Sequence, residues 1–210
     1  MKRSLLGALL AGPLAAHAAD GTRTYAFEAF LDGKPIGAHT FTVTTEGAAR
    51  KVASEADFRV RIIGLTVYRY RHHAVEVWTG DCLAGLVAST DDDGKAAGVK
   101  LVKNGDANEI TTNAGTTSEP GCLMTFAYWN PAMREQKRLL NPQTGKLDAV
   151  KVERVASGQV TVGGKDVAAT DWRVTGGESP VDVWISAQGE WVGLDSMVSN
   201  GRHRLTYRLP

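Results

Sequence analysis

Four histidines follow the first 18 residues, and they are the side chains best suited to acid–base or metal chemistry. His72 and His73 are adjacent, so on a strand they point to opposite faces and cannot bind one ion together. A metal site would need His72 with His39 or His203 and a carboxylate such as Glu76, and nothing in the sequence places these together. We therefore expect no metal site. An acid–base pair of His72 and Glu76 is also disfavoured, because residues i and i+4 of a strand lie about 13 Å apart.

Motifs of the common catalytic and cofactor sites do not occur in the sequence. There is no Gly-x-Ser-x-Gly, no His-Glu-x-x-His and no glycine-rich phosphate loop. Asp91, Asp92 and Asp93 precede Gly94, but they lack the alternate ligand positions and the distal glutamate of a calcium loop, so they predict a solvated turn. We expect no cofactor.

One predicted strand carries an unusually aromatic face. Between residues 68 and 78, alternate positions are occupied by Tyr68, Tyr70, His72, Glu76 and Trp78, which would share a face of the strand. If that face lines a barrel, it gives an aromatic interior with a few polar groups, which is typical of a small-molecule pocket. The alternative is an aromatic ladder covered by a neighbouring element.

That neighbouring element is predicted in residues 119–145, where the two-residue alternation of the chain is interrupted. Asn130 is a favoured N-cap, Pro131 suits the first helical position, and Asn141-Pro142 ends the segment. A short helix over 131–140 is therefore predicted as a lid over a β structure. The candidate ligand-binding residues on the aromatic face and the lid are Tyr68, Tyr70, His72, Trp78, Phe126, Trp129, Asn130 and Met133.

The chain begins with the pattern of an exported protein. Lys2 and Arg3 precede an apolar run that ends at Ala16, and Ala16-His17-Ala18 is a small-x-small cleavage site. We expect residues 1–18 to be a signal peptide, because the apolar run is shorter than the about 20 residues that span a bilayer. Residues 19–210 are then a single β domain in the periplasm, soluble and without a lipid-anchor cysteine.

Two cysteines in an exported chain, Cys82 and Cys122, most simply form a disulfide. Closing a loop of this length would stabilise the fold by about 4 kcal/mol in the chain-entropy model. The alternative is a pair of free or metal-binding thiols.

Charge and composition exclude some function classes and favour a β fold. Without Lys2 and Arg3, 22 basic residues face 23 acidic ones, so nucleic acid is not an expected partner. Alternating hydrophobic runs, with turn residues every 10 to 14 positions, predict an all-β antiparallel meander of about a dozen strands. The meander would curl into an open or closed barrel-like sheet.

The hairpin tip at Ile62–Val67 contains no polar turn residue except Thr66. One interpretation is a bent strand pair with a bulge at Gly64 and buried neighbours. The other is an apolar lip or patch that touches a membrane surface or a protein partner. Four arginines on the two flanking strands are expected to be solvated; they are Arg59, Arg61, Arg69 and Arg71.

Four motifs carry a resemblance to a known family. They are Glu76-Val-Trp-Thr-Gly-Asp-Cys-Leu, Trp129-Asn130-Pro131, Leu140-Asn-Pro-Gln-Thr-Gly145 and Gly189-Glu-Trp-Val-Gly-Leu194. With these motifs the chain, from about Tyr25 to Leu209, resembles a family of exported bacterial proteins known only as a domain of unknown function. That resemblance transfers no catalytic role. The strand plan also resembles, by architecture only, periplasmic half-barrels of the lipoprotein-carrier type, which hold acyl chains.

The function predicted from these features is that of a periplasmic binding or carrier protein. Its partner would be a hydrophobic or amphipathic small molecule, such as a lipid, held between the sheet and the lid. One alternative is an enzyme that acts on such a molecule, with His72 and Glu76 or Asn130 as its polar groups. Another is a structural or partner-binding envelope protein that uses Ile62–Val67.

Overall fold

The computed structural model describes residues 20–210, so the predicted signal peptide, residues 1–18, lies outside the described residues. In that range no helix is long and apolar enough to cross a membrane. The elements of the described range are β1 Gly21–Leu31, β2 Lys34–Glu46, β3 Ala49–Ile62, β4 Leu65–Thr79, β5 Cys82–Asp92, β6 Lys95–Asn104, β7 Ala107–Thr112, β8 Gly115–Pro120, a 3-10 helix Pro131–Glu135, β9 Arg138–Leu140, β10 Leu147–Ala149, β11 Lys151–Val162, β12 Lys165–Thr175, β13 Val181–Ser186, β14 Trp191–Val198 and β15 His203–Arg208.

Thirteen of the described strands form one antiparallel sheet. Its order is β11-β12-β13-β14-β15-β1-β2-β3-β4-β5-β6-β7-β8, so two meanders are joined where β1 pairs with β15. The predicted all-β antiparallel meander is therefore confirmed. β8 and β11 stand at the two ends of this order, and the chain between them, residues 121–150, is called the plug from here on.

Short turns with left-handed backbone connect several neighbouring strands. Asp32-Gly33 joins β1 to β2 with φ angles of 51° and 77°, and Asp93-Gly94 joins β5 to β6 with 50° and 87°. Aspartate and glycine tolerate this conformation better than branched residues, and its twist matches that of the paired strands. These hairpins thus follow from local sequence.

The inward face of the curled sheet forms an aromatic core. Along β1, Tyr25, Phe27 and Ala29 are buried and alternate with exposed residues, as their two-residue spacing predicts. The Phe27 ring lies 4.4 Å from the Trp191 ring and 5.9 Å from the Tyr207 ring, measured between centroids. Because β14 and β15 carry these partners, the core joins the two meanders.

The predicted helix over residues 131–140 is wrong. Asn130 does cap a 3-10 helix, since its side-chain oxygen accepts from the Ala132 amide at 3.0 Å, but the helix ends at Glu135. Residues Arg138–Leu140 instead form β9, which pairs with β10. Packing explains the change: Leu139 and Leu140 are both fully buried, which a strand surrounded on both faces allows.

The plug lies within the core of the curled sheet and does not cover it as an external lid. The buried plug residues that belong to the main hydrophobic core are Leu123, Met124, Ala127, Met133, Leu139 and Leu140. The backbone amide of Leu140 donates to the Met124 carbonyl at 2.8 Å, which ties the two halves of the plug together. The plug therefore supplies apolar surface that the sheet alone cannot provide.

Several bonds attach the start of the plug to the β4–β5 turn. Cys122 forms a disulfide with Cys82, as predicted, with the Cα atoms 5.0 Å apart. The Leu83 amide donates to the Leu123 carbonyl at 2.8 Å, which continues the attachment along β5. Asn130 donates to the Asp81 carboxylate at 3.1 Å. The turn thus holds the plug at three points.

Removal of the disulfide by Cys82→Ala with Cys122→Ala should lower the free energy of unfolding. The bridge joins residues 40 apart in sequence, and closing a loop of that length is worth about 4 kcal/mol in the chain-entropy model. Denaturation in guanidinium chloride, followed by tryptophan fluorescence, measures the loss. Wild-type protein in reducing buffer is the control and should lose the same amount. A loss below about 1 kcal/mol would contradict the assignment of a stabilising role.

Candidate functional site

A cavity of about 270 Å³ lies between the inner face of β2–β4 and the plug. Its deep residues, which are buried, include Ser54, His72, Ala74 and Glu76 on the strands and Thr125 on the plug. The cavity is thus built from both the sheet and the segment that fills it.

Strand register explains why this space stays unfilled. Phe41 of β2 is paired with Ser54 of β3, Ser54 with Ala74 of β4, and Ala74 with Ala88 of β5. These four residues form one row across the inner face, and three of them have very small side chains. Because these small side chains do not extend as far as the plug, a gap remains where larger side chains would fill the core.

The next row across the sheet contains two histidines. His39 of β2 is paired with Ala56 of β3, Ala56 with His72 of β4, and His72 with Thr90 of β5. A ring nitrogen of His72, Nδ1, lies 2.9 Å from the Thr90 hydroxyl. His39 is bonded on both sides, with Nε2 2.8 Å from the Ser54 hydroxyl and Nδ1 3.2 Å from the hydroxyl of Tyr207.

Burial keeps both imidazoles neutral at pH 7. Desolvation lowers the pKa of His39 to about 3, with a smaller contribution from His72. Desolvation likewise lowers the pKa of His72 to about 4, with His73 as the lesser cause. The part of the His39 side chain that is not buried lines the cavity. Each ring can therefore donate one hydrogen bond and accept another.

Another polar group of the cavity is Glu76 of β4, which lies one row beyond Ala74 on the side away from His72. Its carboxylate accepts from the indole nitrogen of Trp78 at 2.9 Å. Burial raises the pKa of Glu76 to about 7, and hydrogen bonds from Thr125 and Trp78 oppose that rise. Near neutral pH this carboxyl group therefore exchanges a proton easily, which the two histidines do not.

Aromatic side chains of the plug form the opposite wall. Phe126, Tyr128 and Trp129 project from two tight turns, in which the amides of Ala127 and Tyr128 bond to carbonyls two residues earlier. The Tyr128 ring lies 5.5 Å from the Trp191 ring, which fixes it against the core. The wall is therefore apolar and held by packing.

The mouth of the cavity is formed by two loops. Residues 141–143 of the plug and 177–179 of the β12–β13 connection line it, and Gln143 and Glu178 are exposed. Gly145 holds the first loop close to the sheet: its φ is 71°, and an added Cβ would collide with Thr112. The exposed and buried lining residues thus define an opening and a deep end.

Three of the eight predicted binding residues line this cavity: His72, Phe126 and Trp129. Tyr70 does not; its ring stacks on Phe58 at 5.4 Å in the neighbouring core. Tyr68 lies further along β4, half-buried, and its hydroxyl donates to Asp92 at 2.7 Å. The aromatic face is therefore inward, which the sequence alone leaves open, and only its His72 and Glu76 region borders the open volume.

The other three predicted binding residues support the plug. Trp78 is fully buried, and its ring meets the Trp129 ring edge-on at 5.4 Å. Asn130 is buried at the helix cap, and Met133 is buried in the core. Asn130 and Met133 border only a much smaller gap of about 10 Å³ beneath Trp172.

Sequence reasoning missed the contribution of β2 and β3. Ser54, Phe41 and Thr125 were not candidates, and His39 was considered only for metal binding. A usable signal was the run of small residues at inward positions, Ser54, Ala56 and Ala74, on two consecutive predicted strands. For metal binding, the described residues 20–210 contain no group of three or more His, Cys, Asp or Glu side chains close enough to hold an ion.

A family model described as a domain of unknown function, DUF6134, matches residues 27–209. The chain belongs to the DUF6134 family. The predicted membership of a family of unknown function is thereby confirmed. No curated protein shows significant similarity to this DUF6134 chain.

Solved structures with the same fold exist. The DUF6134 chain is similar to the crystal structure of a β-barrel-like protein of another domain of unknown function, DUF1849, from Brucella abortus. The TM-score is 0.63 at 11% sequence identity, over 93% of this chain and 98% of that one. This likeness shows a barrel-like fold for DUF6134. The likeness to lipoprotein carriers stays a prediction.

Two of the four motifs behind the family resemblance meet in the structure. Asp81, from the first motif, accepts from Asn130 of the second motif, and Trp78 packs on Trp129. Arg50 also donates to Asp81 at 2.9 Å, and its guanidinium lies 5.3 Å from the Trp129 ring centroid. These motifs therefore hold the plug on the sheet beside the cavity.

Glu76→Gln should change the pH dependence of stability. The pKa of Glu76 is raised in the folded state from 4.5 to about 7, so its favourable contribution is complete below pH 4.5 and is lost as the pH rises through 7. We expect the variant to match wild type at pH 4 and to exceed its free energy of unfolding at pH 8 by about 3 kcal/mol. Urea denaturation at both pH values measures this.

His39 and His72 also make the free energy of unfolding depend on pH, in the direction opposite to Glu76. Comparing the variant with wild type cancels this contribution. The lowered pKa values of the histidines contribute stability above pH 6.5 that is lost on acidification, and they do so equally in both proteins. Glu109→Gln, at an exposed position on β7, is the matched control and should show no such difference. If the free energies of unfolding of wild type and Glu76→Gln differed by the same amount at pH 4 and at pH 8, the conclusion that burial raises the pKa of Glu76 would be contradicted.

Proposed function

We propose that this DUF6134 protein binds an amphipathic small molecule whose polar group is uncharged, and that it acts as a periplasmic binding or carrier protein. The observation that carries the proposal is the cavity between the row of small residues on β3 and β4 and the aromatic wall of the plug. An apolar pocket with a few fixed polar groups is the usual form of a small-molecule site.

The cavity volume limits what fits inside. Pockets for drug-sized ligands span about 300–1,000 Å³, and this one measures about 270 Å³. It accommodates a ring system or a short chain segment, and a complete phospholipid would leave most of its length outside the mouth. The bound portion would contact Phe41 on one side and Phe126 with Tyr128 on the other.

The polar groups favour an uncharged ligand group at the deep end. Burying a charge without a charged partner is costly, and His39 and His72 are neutral at pH 7 because burial lowers the pKa of each. His72 uses Nδ1 for Thr90, so Nε2 is available to a hydroxyl, carbonyl or amide group. The preferred ligand group is therefore a neutral one that can exchange hydrogen bonds with His72.

Location in the periplasm is part of the proposal. The sequence of residues 1–18 has the pattern of a signal peptide, and the Cys82–Cys122 disulfide is typical of oxidising compartments. A carrier of amphipathic molecules would there move between membrane surfaces and other proteins.

A second candidate function, an enzyme acting on the same molecule, is favoured by Glu76 alone. A carboxyl group whose pKa is near 7 suits general acid–base catalysis, and it borders the same cavity as the neutral His72. The strand geometry keeps them about 13 Å apart, so they would act on different parts of a substrate. Glu76→Gln would then abolish turnover of a molecule that the variant still binds.

The first experiment identifies what the purified protein carries. Native mass spectrometry of protein prepared without detergent, followed by organic extraction, supports the proposal if a stoichiometric lipid-like adduct appears. The extracted compound is then incubated with wild type and with Glu76→Gln. An unchanged mass in both supports a carrier, and conversion by wild type alone supports the enzyme.

Ala74→Leu should abolish binding of a neutral amphipathic probe. Ala74 is 1% exposed and lies at the centre of the small-residue row, so a leucine side chain would occupy the cavity. We expect N-phenyl-1-naphthylamine to show saturable fluorescence enhancement with wild type and none with the variant, while the free energy of unfolding falls by no more than about 3 kcal/mol.

Ala53→Leu provides the matched control for that test. Ala53 adjoins Ser54 on β3 but occupies the outer face, half-buried, and it pairs with Val75 of β4. Probe binding by this variant should equal that of wild type. Equal binding by Ala74→Leu and wild type would place the probe elsewhere and contradict the proposed site.

A further inference from the structure

The end of the β3–β4 hairpin extends beyond the rest of the sheet. Pairing of β3 with β2 ends at Phe58 opposite Gly37, and pairing of β4 with β5 ends at Tyr70 opposite Asp92. Residues 59–69, called the ribbon from here on, therefore pair as strands only with each other within the described chain, and at their base Tyr68 and Arg69 also bond to the β5–β6 turn at Asp92 and Asp93. Five residues per strand extend about 15 Å at the usual rise.

The tip of the ribbon is apolar and exposed. The exposed fraction is 98% for Ile63, 72% for Leu65, 59% for Ile62 and 50% for Val67. The interpretation with buried neighbours around Gly64 is therefore excluded, and the β-bulge lies earlier, between Val60 and Arg61. Such a group of large side chains in water is unfavourable unless something covers it.

Backbone conformation gives a second, independent sign that the isoleucine at the tip is there for contact. Ile63 has a φ of 49°, in the left-handed region, followed by Gly64 at 79°. In the corresponding turns of the same chain this position is held by Asp32 and Asp93. A β-branched residue is strained there, so both its exposure and its backbone reduce stability.

The charge of the ribbon is entirely positive. Between Arg59 and Arg69 the sequence contains three arginines and no acidic residue. Arg59 bonds to Asp57 at 3.0 Å in an exposed pair, and Arg61 has no carboxylate partner among the described residues. The basic residues lie just behind the apolar tip, along the strands that lead to it.

We propose that the ribbon docks on a membrane surface rich in anionic phospholipid. The four apolar side chains enter the outer part of the acyl region, and the arginines behind them contact lipid phosphates. Ile62 pairs with Leu65, and Ile63 lies in the turn between them, so the apolar side chains are gathered at the end of the ribbon with the arginines behind them. That order, apolar at the tip and basic behind it, matches the acyl region and the phosphate layer of an anionic bilayer. This surface is separate from the cavity and stands independently of the proposed function.

Ile63→Asp is the decisive variant. We expect wild type to co-sediment with vesicles of phosphatidylglycerol and phosphatidylcholine in equal parts, and to bind pure phosphatidylcholine poorly. Loss of the isoleucine side chain that enters the bilayer should weaken vesicle binding by at least about tenfold. Because aspartate adopts the turn conformation more readily, the variant should also have a higher melting temperature than wild type, which separates lost docking from misfolding.

A control variant introduces the same charge elsewhere. Val87 is 60% exposed on β5 and pairs with Val75 of β4, about 30 Å along the sheet from the tip at the usual rise. Val87→Asp should bind vesicles as wild type does. Arg61→Gln and Arg69→Gln should each weaken binding to the anionic vesicles by about fivefold, and salt should weaken binding of wild type.

Three outcomes would overturn the proposal. The first is no binding of wild type to the anionic vesicles, and the second is equal binding by Ile63→Asp. The third is a lipid-free dimer of wild type that Ile63→Asp converts to a monomer in sedimentation velocity, because the tip would then contact a second copy. A direct readout comes from Ile63→Cys labelled with an environment-sensitive dye: its emission should shift to the blue on anionic vesicles.

Discussion

The attachment of the plug to the β4–β5 turn is the constraint on which the rest of the structure depends. β8 and β11, at the ends of the strand order, are not paired with each other in the described chain, so the sheet alone does not enclose its inner face. Residues 121–150 enter from one of these strands and leave by the other. The disulfide at Cys122 and the bond from Asn130 to Asp81 fix where the plug lies. Burial of its leucines and methionines then completes one hydrophobic core.

Local sequence was sufficient for the strands but not for the plug. On β4 the alternation of Tyr70, His72 and Trp78 places these residues on one face, but a period of two leaves two possibilities for which face is inward, and the sequence does not decide between them. Asn130-Pro131 predicts a helix start, and the structure has one there, but the helix is a short 3-10 helix that ends at Glu135. Capping energies are about 1 kcal/mol, whereas burial of Leu139 and Leu140 on a strand is worth more. Tertiary packing therefore decided the conformation.

The cavity could not be predicted because it depends on the register between strands. Ser54, Ala74 and Ala88 are separated by 14 to 20 residues in sequence, and they form one row only once β3, β4 and β5 pair as they do. A shift of one residue in either pairing would replace a small side chain with an outward-facing one. Of the candidates that line the cavity, Phe126 and Trp129 lie on the plug, outside these strand pairings, whereas the position of His72 depends on them.

Within residues 20–210, Glu76 and Ile63 depart from the usual rules of burial and turn conformation, and they lie at the two proposed binding surfaces. Glu76 is buried beside apolar side chains, which raises the pKa of its carboxyl group. Ile63 is exposed and occupies a backbone conformation that suits aspartate. The Asp-Gly turns and the alternating core strands, by contrast, follow the local rules. Since departures from those rules concentrate at functional sites, the positions of Glu76 and Ile63 support the two proposals, which place binding at the cavity and at the ribbon tip.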